Sequence, residues 1–269
     1  MRRSRFAASV TSLLLATGLA LTGAATAQAS SSAATGGYVA LGDSYSSGVG
    51  SGSYISSSGS CDRSTKAFPY LWNAAHGPSS FAFNACSGAT TDDVLAGQLG
   101  SLNSSTALVS ISIGGNDAGF ADIMTTCVLS SDSSCVSKIN NAKAYVDSTL
   151  PGKLDTVYDA ISAKAPSARV VVLGYPRFYL LGQSCLGLSG TKRSAINSAA
   201  DYIDAAIQKR ALDHDFVFGD VRSPFSSHEI CSGDSWLHSV NWLDIGESYH
   251  PTAAGQSGGY LPVFTTNAS

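Results

Sequence analysis

Charge is what this chain has least of. Asp, Glu, Lys and Arg make up 13% of its 269 residues, and the net charge is −3. An ordinary soluble domain carries roughly 25% charged residues. There is no excess of positive charge to hold nucleic acid or an anionic membrane surface. A Walker A loop and a dinucleotide fingerprint are also missing, so neither phosphate-cradling motif is present. No two cysteines stand at C-x-x-C spacing, which argues against a metal site. Asp213-His214-Asp215 is the nearest approach to a ligand cluster. It lacks a second pair at ligand spacing and reads as a solvated helix end. Long apolar runs are scarce too. Val10 to Leu21 is one, but it is short for a membrane span.

What surrounds that run gives it a different meaning. Met1-Arg2-Arg3-Ser4-Arg5 is basic, and Ala27-Gln28-Ala29 has the A-x-A form of a cleavage site. Residues 1–29 therefore read as a secretory signal peptide, and residues 30–269 as a single secreted domain with no stable membrane insertion. Arg2-Arg3 alone does not make a twin-arginine signal. Ser, Gly, Ala and Thr fill the place of the missing charge, which suits an extracellular surface. Six cysteines follow, at 61, 86, 127, 135, 185 and 231. In an exported chain this even number reads as three disulfides, although six cysteines allow fifteen connectivities and spacing does not choose among them. Sequential pairing, in which each bridge closes one local loop, is the expectation: Cys61–Cys86, Cys127–Cys135 and Cys185–Cys231.

The rest of the chain alternates between strand and helix patterns. Val39-Ala40-Leu41, Phe81 to Asn84, Ala107 to Ile113, Arg169 to Leu173 and Phe216 to Phe218 read as strands. Phe68 to Ala75, a segment capped by Asp92 or Asp93 and running to Leu102, Val136 to Lys164 with a break near Pro151-Gly152, and Thr191 to Leu212 read as helices. A C-terminal helix is expected from Pro251 or Thr252. This alternation argues for an α/β fold, a parallel sheet flanked on both faces. Ser46 to Ser60 is a Ser/Gly-rich loop. No internal repeat or linker divides the chain.

Four short motifs fall at strand ends or in loops, where a site should lie. They are Gly42-Asp43-Ser44, Cys86-Ser87-Gly88-Ala89-Thr90, Gly114-Gly115-Asn116-Asp117 and Tyr249-His250-Pro251-Thr252. Each is ordinary alone, since turns and caps have this composition. Together they supply a hydroxyl, an imidazole and two amide donors, the set that acyl transfer needs. In this order they resemble the SGNH (GDSL) hydrolase superfamily of esterases, lipases and acyl hydrolases. The likeness runs from Leu41 to Gly255 and is close to the secreted, three-disulfide bacterial lipase and phospholipase branch.

The resemblance implies a flavodoxin-like three-layer sandwich around a five-stranded parallel sheet. It implies Ser44 as nucleophile, with Gly88 and Asn116 as oxyanion donors beside the Ser44 N–H, and His250 as base. That family commonly has Asp three residues before the histidine, whereas here the residue is Glu247. The expectation is a Ser44–His250 dyad oriented by the main-chain carbonyl of Ser248, with a Glu247 triad as the alternative. Activity is expected to rise as His250 loses its proton near its ordinary pKa of about 6.5.

Gly255-Gln256-Ser257-Gly258-Gly259 fits the G-x-S-x-G elbow of another hydrolase fold, but no histidine follows it as that fold requires. His76, His228 and His238 read as surface or structural residues. The substrate expected is a lipid ester, triacylglycerol or phospholipid, with phospholipase A1 activity among the expected reactions. Phe178 to Leu181 and the segment containing Trp236, Leu237, Trp242, Leu243 and Ile245 could line an acyl groove or simply pack against the core. No metal or organic cofactor is expected, and a monomer is expected. The alternatives are an acetyl-carbohydrate esterase of the same superfamily and a non-catalytic secreted binding protein.

Overall fold

The computed structural model describes residues 36–242 and 244–269. The signal-peptide reading and Leu243 lie outside the described residues. Five parallel strands form one sheet in the order β2-β1-β3-β4-β5. They are β1 (Gly37–Gly42), β2 (Ser80–Phe83), β3 (Thr106–Ser112), β4 (Arg169–Leu173) and β5 (Val217–Gly219). Tyr38, Val39, Ala40 and Leu41 are consecutive and all buried, and in β3 Leu108, Val109, Ile111 and Ile113 are buried together with the Ser110 and Ser112 between them. Burial of consecutive residues belongs to strands covered on both faces.

The strand order dictates the layers. From β1 the chain steps outward to β2 through α2 (Phe68–His76), then returns past β1 to β3. From β3 it moves the other way, to β4 through α4 (Phe120–Leu129), α5 (Asp132–Ser148) and α6 (Leu150–Lys164), and to β5 through α7 (Gly190–Asp213). Crossovers are right-handed, so opposite directions of travel put helices on opposite faces. Accordingly α2 packs with the C-terminal helix α8 (Leu261–Asn267), while α5, α6 and α7 pack with one another. Tyr38 meets Trp72, Phe81 and Phe264 at ring-centroid distances of 5.1, 5.1 and 5.4 Å, which seals the α2/α8 layer to the sheet.

A chain that reverses its direction of travel leaves a crevice at the reversal. Here that switch point lies between β1 and β3, outside their carboxyl ends. The first of these ends is Gly42, at φ +119°, where a Cβ would collide with the Ser112 backbone. Buried Gln98 holds it on both sides: Gly42 N–H donates to Gln98 Oε1 at 2.7 Å, and Gln98 Nε2 donates to the Gly42 carbonyl at 2.9 Å.

That clamp explains a departure from the expected helix ending at Leu102. Only α3 (Thr91–Asp93) is α-helical; it is followed by a wider π turn at Val94–Gln98 and a 3-10 turn at Leu99–Ser101. Turning Gln98 inward, with Gly97 and Gly100 beside it, replaces a regular helix. The cap is Thr90, not Asp92 or Asp93; Asp93 closes the capping box by accepting from Thr90 N–H at 2.8 Å. A helix that the apolar pattern did not outline, α4, stands just after Gly119 in a left-handed conformation. The cysteines form the bridges Cys61–Cys86, Cys127–Cys135 and Cys185–Cys231. The first of these ties the Ser/Gly-rich loop to the turn that follows β2.

Candidate active site

Ser44 opens the short helix α1 (Ser44–Ser47), directly after β1. Its position is set by the residue before it. The Asp43 carboxylate caps α1 by accepting from Tyr45 N–H at 3.0 Å, and accepts from Ser112 Oγ at 2.7 Å and from the Tyr175 hydroxyl. Asp43 is 1% exposed. Burial pushes its pKa up from 3.8 to about 6, although these three donors pull the other way. The Tyr175 oxygen accepts in turn from Gly115 N–H at 3.1 Å. A continuous hydrogen-bonded path thus joins the end of β1 to the turn that carries Asn116.

Asn116 and Gly88 come from two turns that are bonded to each other. Asn116 Nδ2 donates to the Ala89 carbonyl at 2.9 Å, which leaves its second amide hydrogen unspent. Asp117 accepts from Thr91 N–H at 3.0 Å and from Thr91 Oγ1 at 2.6 Å. Gly88 sits at φ +76°, in a turn closed by Ala89 N–H donating to the Cys86 carbonyl at 3.1 Å. Among the described residues, neither the Ser44 N–H nor the Gly88 N–H has an acceptor. Free donors of this kind can serve an oxyanion.

His250 arrives from the far end of the chain. Its Nε2 lies 2.7 Å from Ser44 Oγ. The preceding Tyr249 takes the left-handed conformation at φ 68°, and its carbonyl accepts from the Tyr45 hydroxyl at 2.8 Å. The His250 ring packs on Tyr45 with centroids 5.2 Å apart. Backbone bonds between His238 and the 249–250 segment pin the strand of chain that carries it: Tyr249 N–H to the His238 carbonyl and His238 N–H to the His250 carbonyl, each at 3.0 Å. Burial, with a smaller contribution from His238, drops the His250 pKa from 6.5 to about 4. The carbonyls of Ser248, Gly246 and Glu247 oppose this by favouring the charged ring. The neutral ring, able to accept a proton, is therefore the resident form well below pH 6.5, which revises the pH dependence expected from the free side chain.

Nδ1 of His250 is buried and completes no hydrogen bond of ordinary geometry among the described residues. Ser248 stands nearby, 7% exposed, its Oγ accepting from Asn241 N–H at 2.9 Å. The Glu247 carboxylate is engaged elsewhere: it accepts from the Tyr54 hydroxyl at 3.0 Å, and Tyr54 in turn accepts from Gly50 N–H at 2.9 Å. A side chain at Gly50 would be strained, since its φ is +84° and a Cβ would lie 3.0 Å from His238, His250 and the Pro251 carbonyl.

Ser44, Gly88, Asn116 and His250 share a groove of about 480 Å³ with Phe120, Met124, Leu129, Trp242 and Ile245. Of these, Leu129, Trp242 and Ile245 remain 69%, 70% and 64% exposed at its rim. Trp236 and Leu237 instead pack inward, Trp236 against Phe225 and His228. Ser257 is exposed on the C-terminal helical segment and donates to the Ala253 carbonyl at 2.9 Å. His214 Nε2 lies 3.0 Å from Asp155 Oδ1 on α6 and Arg210 pairs with Asp213 at 2.6 Å, so the Asp213-His214-Asp215 stretch is a helix end tied down by these contacts. His76 stacks on Trp72 at 4.3 Å. The sequence reading assigned no part to Tyr45 or Tyr175, while His238, expected to be surface or structural, is structural, with Nε2 2.7 Å from the Gly50 carbonyl. Tyr45 had a visible signal, its place directly after Ser44; the others are brought in by folding alone.

Residues 40–257 match the model of the GDSL-like Lipase/Acylhydrolase family. The chain is 72% identical over 263 residues to Lipase 1 of Streptomyces coelicolor, covering 98% of both chains. Among solved structures it is similar to phospholipase A1 from Streptomyces albidoflavus NA297, with a TM-score of 0.86 and 65% identity over 87% of this chain and 100% of that one. It is likewise similar to the extracellular lipase from Streptomyces rimosus, with a TM-score of 0.85 and 63% identity over 87% of this chain and 100% of that one.

Proposed function

The chain belongs to the GDSL-like lipase/acylhydrolase family and is a carboxylic ester hydrolase, and on that premise we propose that it is a secreted monomer that cleaves lipid esters, phospholipid at the A1 position among them, through an acyl-enzyme on Ser44. The observation that carries this reading is the 2.7 Å contact between Ser44 Oγ and His250 Nε2 at the floor of an apolar groove. Ser44 Oγ attacks the ester carbonyl carbon and its proton passes to His250 Nε2. The carbonyl oxygen gains the charge and is held by the N–H groups of Ser44 and Gly88 and the free amide hydrogen of Asn116. Collapse of the tetrahedral centre breaks the ester C–O bond, and His250 returns the proton to the departing alcohol. Water then repeats the sequence on the acyl-enzyme, releasing fatty acid and free Ser44.

A Ser44–His250 dyad fits the surroundings better than a triad. Glu247 is committed to Tyr54, whereas the Ser248 carbonyl is the foremost of the backbone groups that favour the charged ring. The exposed Leu129, Trp242 and Ile245 favour a lipid over an acetylated sugar, which would call for a polar rim. Disulfides, scarce charge and the basic-apolar N-terminus favour secretion. The test is a panel of triacylglycerol, phosphatidylcholine and lysophospholipid, with the position of the released fatty acid determined and Ser44 labelled by a fluorophosphonate. Release of sn-1 fatty acid by the unlabelled protein is expected, and its loss once the fluorophosphonate occupies Ser44. Hydrolysis confined to acetyl esters would reject the lipid reading, and failure to label Ser44 would reject the acyl-enzyme.

A further inference from the structure

The groove at Ser44 has no Lys, Arg, Asp or Glu on its walls. A glycerophospholipid places a phosphodiester one glycerol length from its scissile ester. Left in such a groove, that anion would lose water and gain no partner, which is costly. Charge lies one step away. A second space, of about 400 Å³, adjoins the groove at Ser87 and Gly88, which border both. Its walls carry one cation and one anion, Arg63 and Asp93.

Arg63 is held in place but little used. Its N–H donates to Ser58 Oγ at 3.1 Å, and its carbonyl accepts from Ile55 N–H at 2.7 Å. Two residues earlier, Cys61 is bridged to Cys86, and the Cys61 carbonyl accepts from Ser87 N–H at 3.1 Å. The turn that carries Arg63 is thereby tied to the turn that carries Gly88. The guanidinium itself makes one long contact, Nη1 to the Ala85 carbonyl at 3.4 Å, and meets no carboxylate among the described residues. Arg177, Arg210 and Arg222, by contrast, all pair with aspartates. A guanidinium has five N–H donors in a fork that fits two phosphate oxygens, so Arg63 retains the capacity to bind an anion. The amide beside it does not: Asn84 Nδ2 already donates to the Gln98 carbonyl at 2.7 Å and to Ser101 Oγ at 3.1 Å.

Asp93 supplies the opposite sign. Its Oδ2 accepts from Thr90 N–H at 2.8 Å and from Thr90 Oγ1 at 2.6 Å, which holds the carboxyl below its ordinary range and keeps it ionised. An isolated phosphate would be repelled by that carboxylate. A headgroup in which a cation follows the phosphate, as choline or ethanolamine does, matches both signs.

We propose that this space is a headgroup subsite, in which Arg63 holds the phosphate and Asp93 faces the cationic end of a zwitterionic glycerophospholipid whose scissile carbonyl lies between Ser44 and Gly88. The proposal rests on the lipid-ester reading above and adds to it the feature that separates phospholipid from neutral glyceride.

The test compares the parent, Arg63→Leu and Asp93→Asn on phosphatidylcholine, phosphatidylglycerol and diacylglycerol of one acyl composition, each dispersed in the same neutral detergent micelles. The readout is kcat/KM on each phospholipid divided by that on diacylglycerol, a ratio that a general loss of folded protein does not move. Arg63→Leu is expected to lower the phosphatidylcholine ratio roughly ten-fold to hundred-fold, the usual loss for hydrogen bonds to a charged group. Asp93→Asn, whose amide oxygen can still accept from Thr90, is expected to raise phosphatidylglycerol relative to phosphatidylcholine by about three-fold. An unchanged ratio in either variant would overturn the proposal and leave the ester-hydrolase reading intact, as would a parent that cleaves diacylglycerol and not phosphatidylcholine. A parent that hydrolyses p-nitrophenyl butyrate and none of the three lipids would overturn the lipid reading along with the subsite.

Discussion

Ser44 leaves the end of a central strand, whereas His250 sits in an irregular loop between β5 and the last helix. Around Ser44 the side chains that hold it are tied to the ends of the sheet strands: Asp43 to Tyr45, Ser112 and Tyr175, and Gln98 to both sides of Gly42. Around His250 the anchors are loop to loop, and one ring nitrogen is buried without a bond of ordinary geometry. The two burials also act in opposite directions. Asp43 is driven towards its neutral form by a rise to about 6, and His250 towards its neutral form by a fall to about 4. Asp43, which positions Ser44, and His250, which contacts it, are therefore each less costly to bury when uncharged. A nucleophile held by the sheet with a base held by a loop leaves one partner fixed and the other adjustable.

The sharpest way to break the comparison is to remove either reactive group. Ser44→Ala and His250→Ala are each expected to lower kcat by about 10⁴-fold or more, and the double variant by no more than the worse single one, because they act as one unit. Steady-state kinetics on one ester checks this, and additive losses would contradict it. Next in size is the sheet side alone. Asn116→Ala is expected to cost about 10²–10³ in kcat, the usual loss for one oxyanion donor, with KM little changed.

The opposed titrations come next. A folded-state pKa below the ordinary one makes stability fall as pH drops, here from about 6.5 towards 4 for His250. A raised carboxyl pKa has the reverse sign: stability is greatest below 3.8 and is lost as pH rises through about 6 for Asp43. At 1.36 kcal/mol per unit, each amounts to roughly 3 kcal/mol, and between pH 4 and 6 they largely offset one another. His250→Gln is expected to expose the Asp43 slope, so that its Tm relative to the parent falls between pH 4 and 6. Asp43→Asn is expected to expose the opposite slope. Parallel Tm curves for parent and both variants would remove the argument. For the same reason kcat/KM of the parent should be flat from about pH 5 to 8 and fall only as pH approaches 4.

The smallest effect expected is on the loop side. Glu247→Ala should change kcat by no more than about three-fold, because its carboxylate meets Tyr54 and not His250. A loss near 10⁴, as where a carboxylate orients the base, would make Glu247 a triad member.

Periodicity alone outlined much of the scaffold. The runs at 39–41 and 170–173 are apolar on every residue and 107–113 on all but Ser110 and Ser112, a density that doubly covered strands need. The irregular pieces were less legible for identifiable reasons. Residues 94–101 unwind because Gln98 satisfies the Gly42 backbone across the structure, a demand no local window contains. Helix α4 begins after a left-handed Gly119 with no side-chain cap, so its start carries none of the usual marks. The four motifs were legible as chemistry in the order they occur along the chain. Tyr175, which joins Asp43 to Gly115, was not, because its role depends on the β4 end lying beside the β1 end.

By itself the amino-acid order determined which residue types meet, since a hydroxyl, an imidazole, an amide and a positive-φ glycine at the ends of apolar runs have few uses together. It determined the sheet as well, because consecutive buried side chains are stable only between two layers. Only the tertiary structure decided the electrical state of Asp43 and His250. A pKa depends on how much water and how many dipoles surround a group, and those neighbours come from strands and loops far apart in the chain.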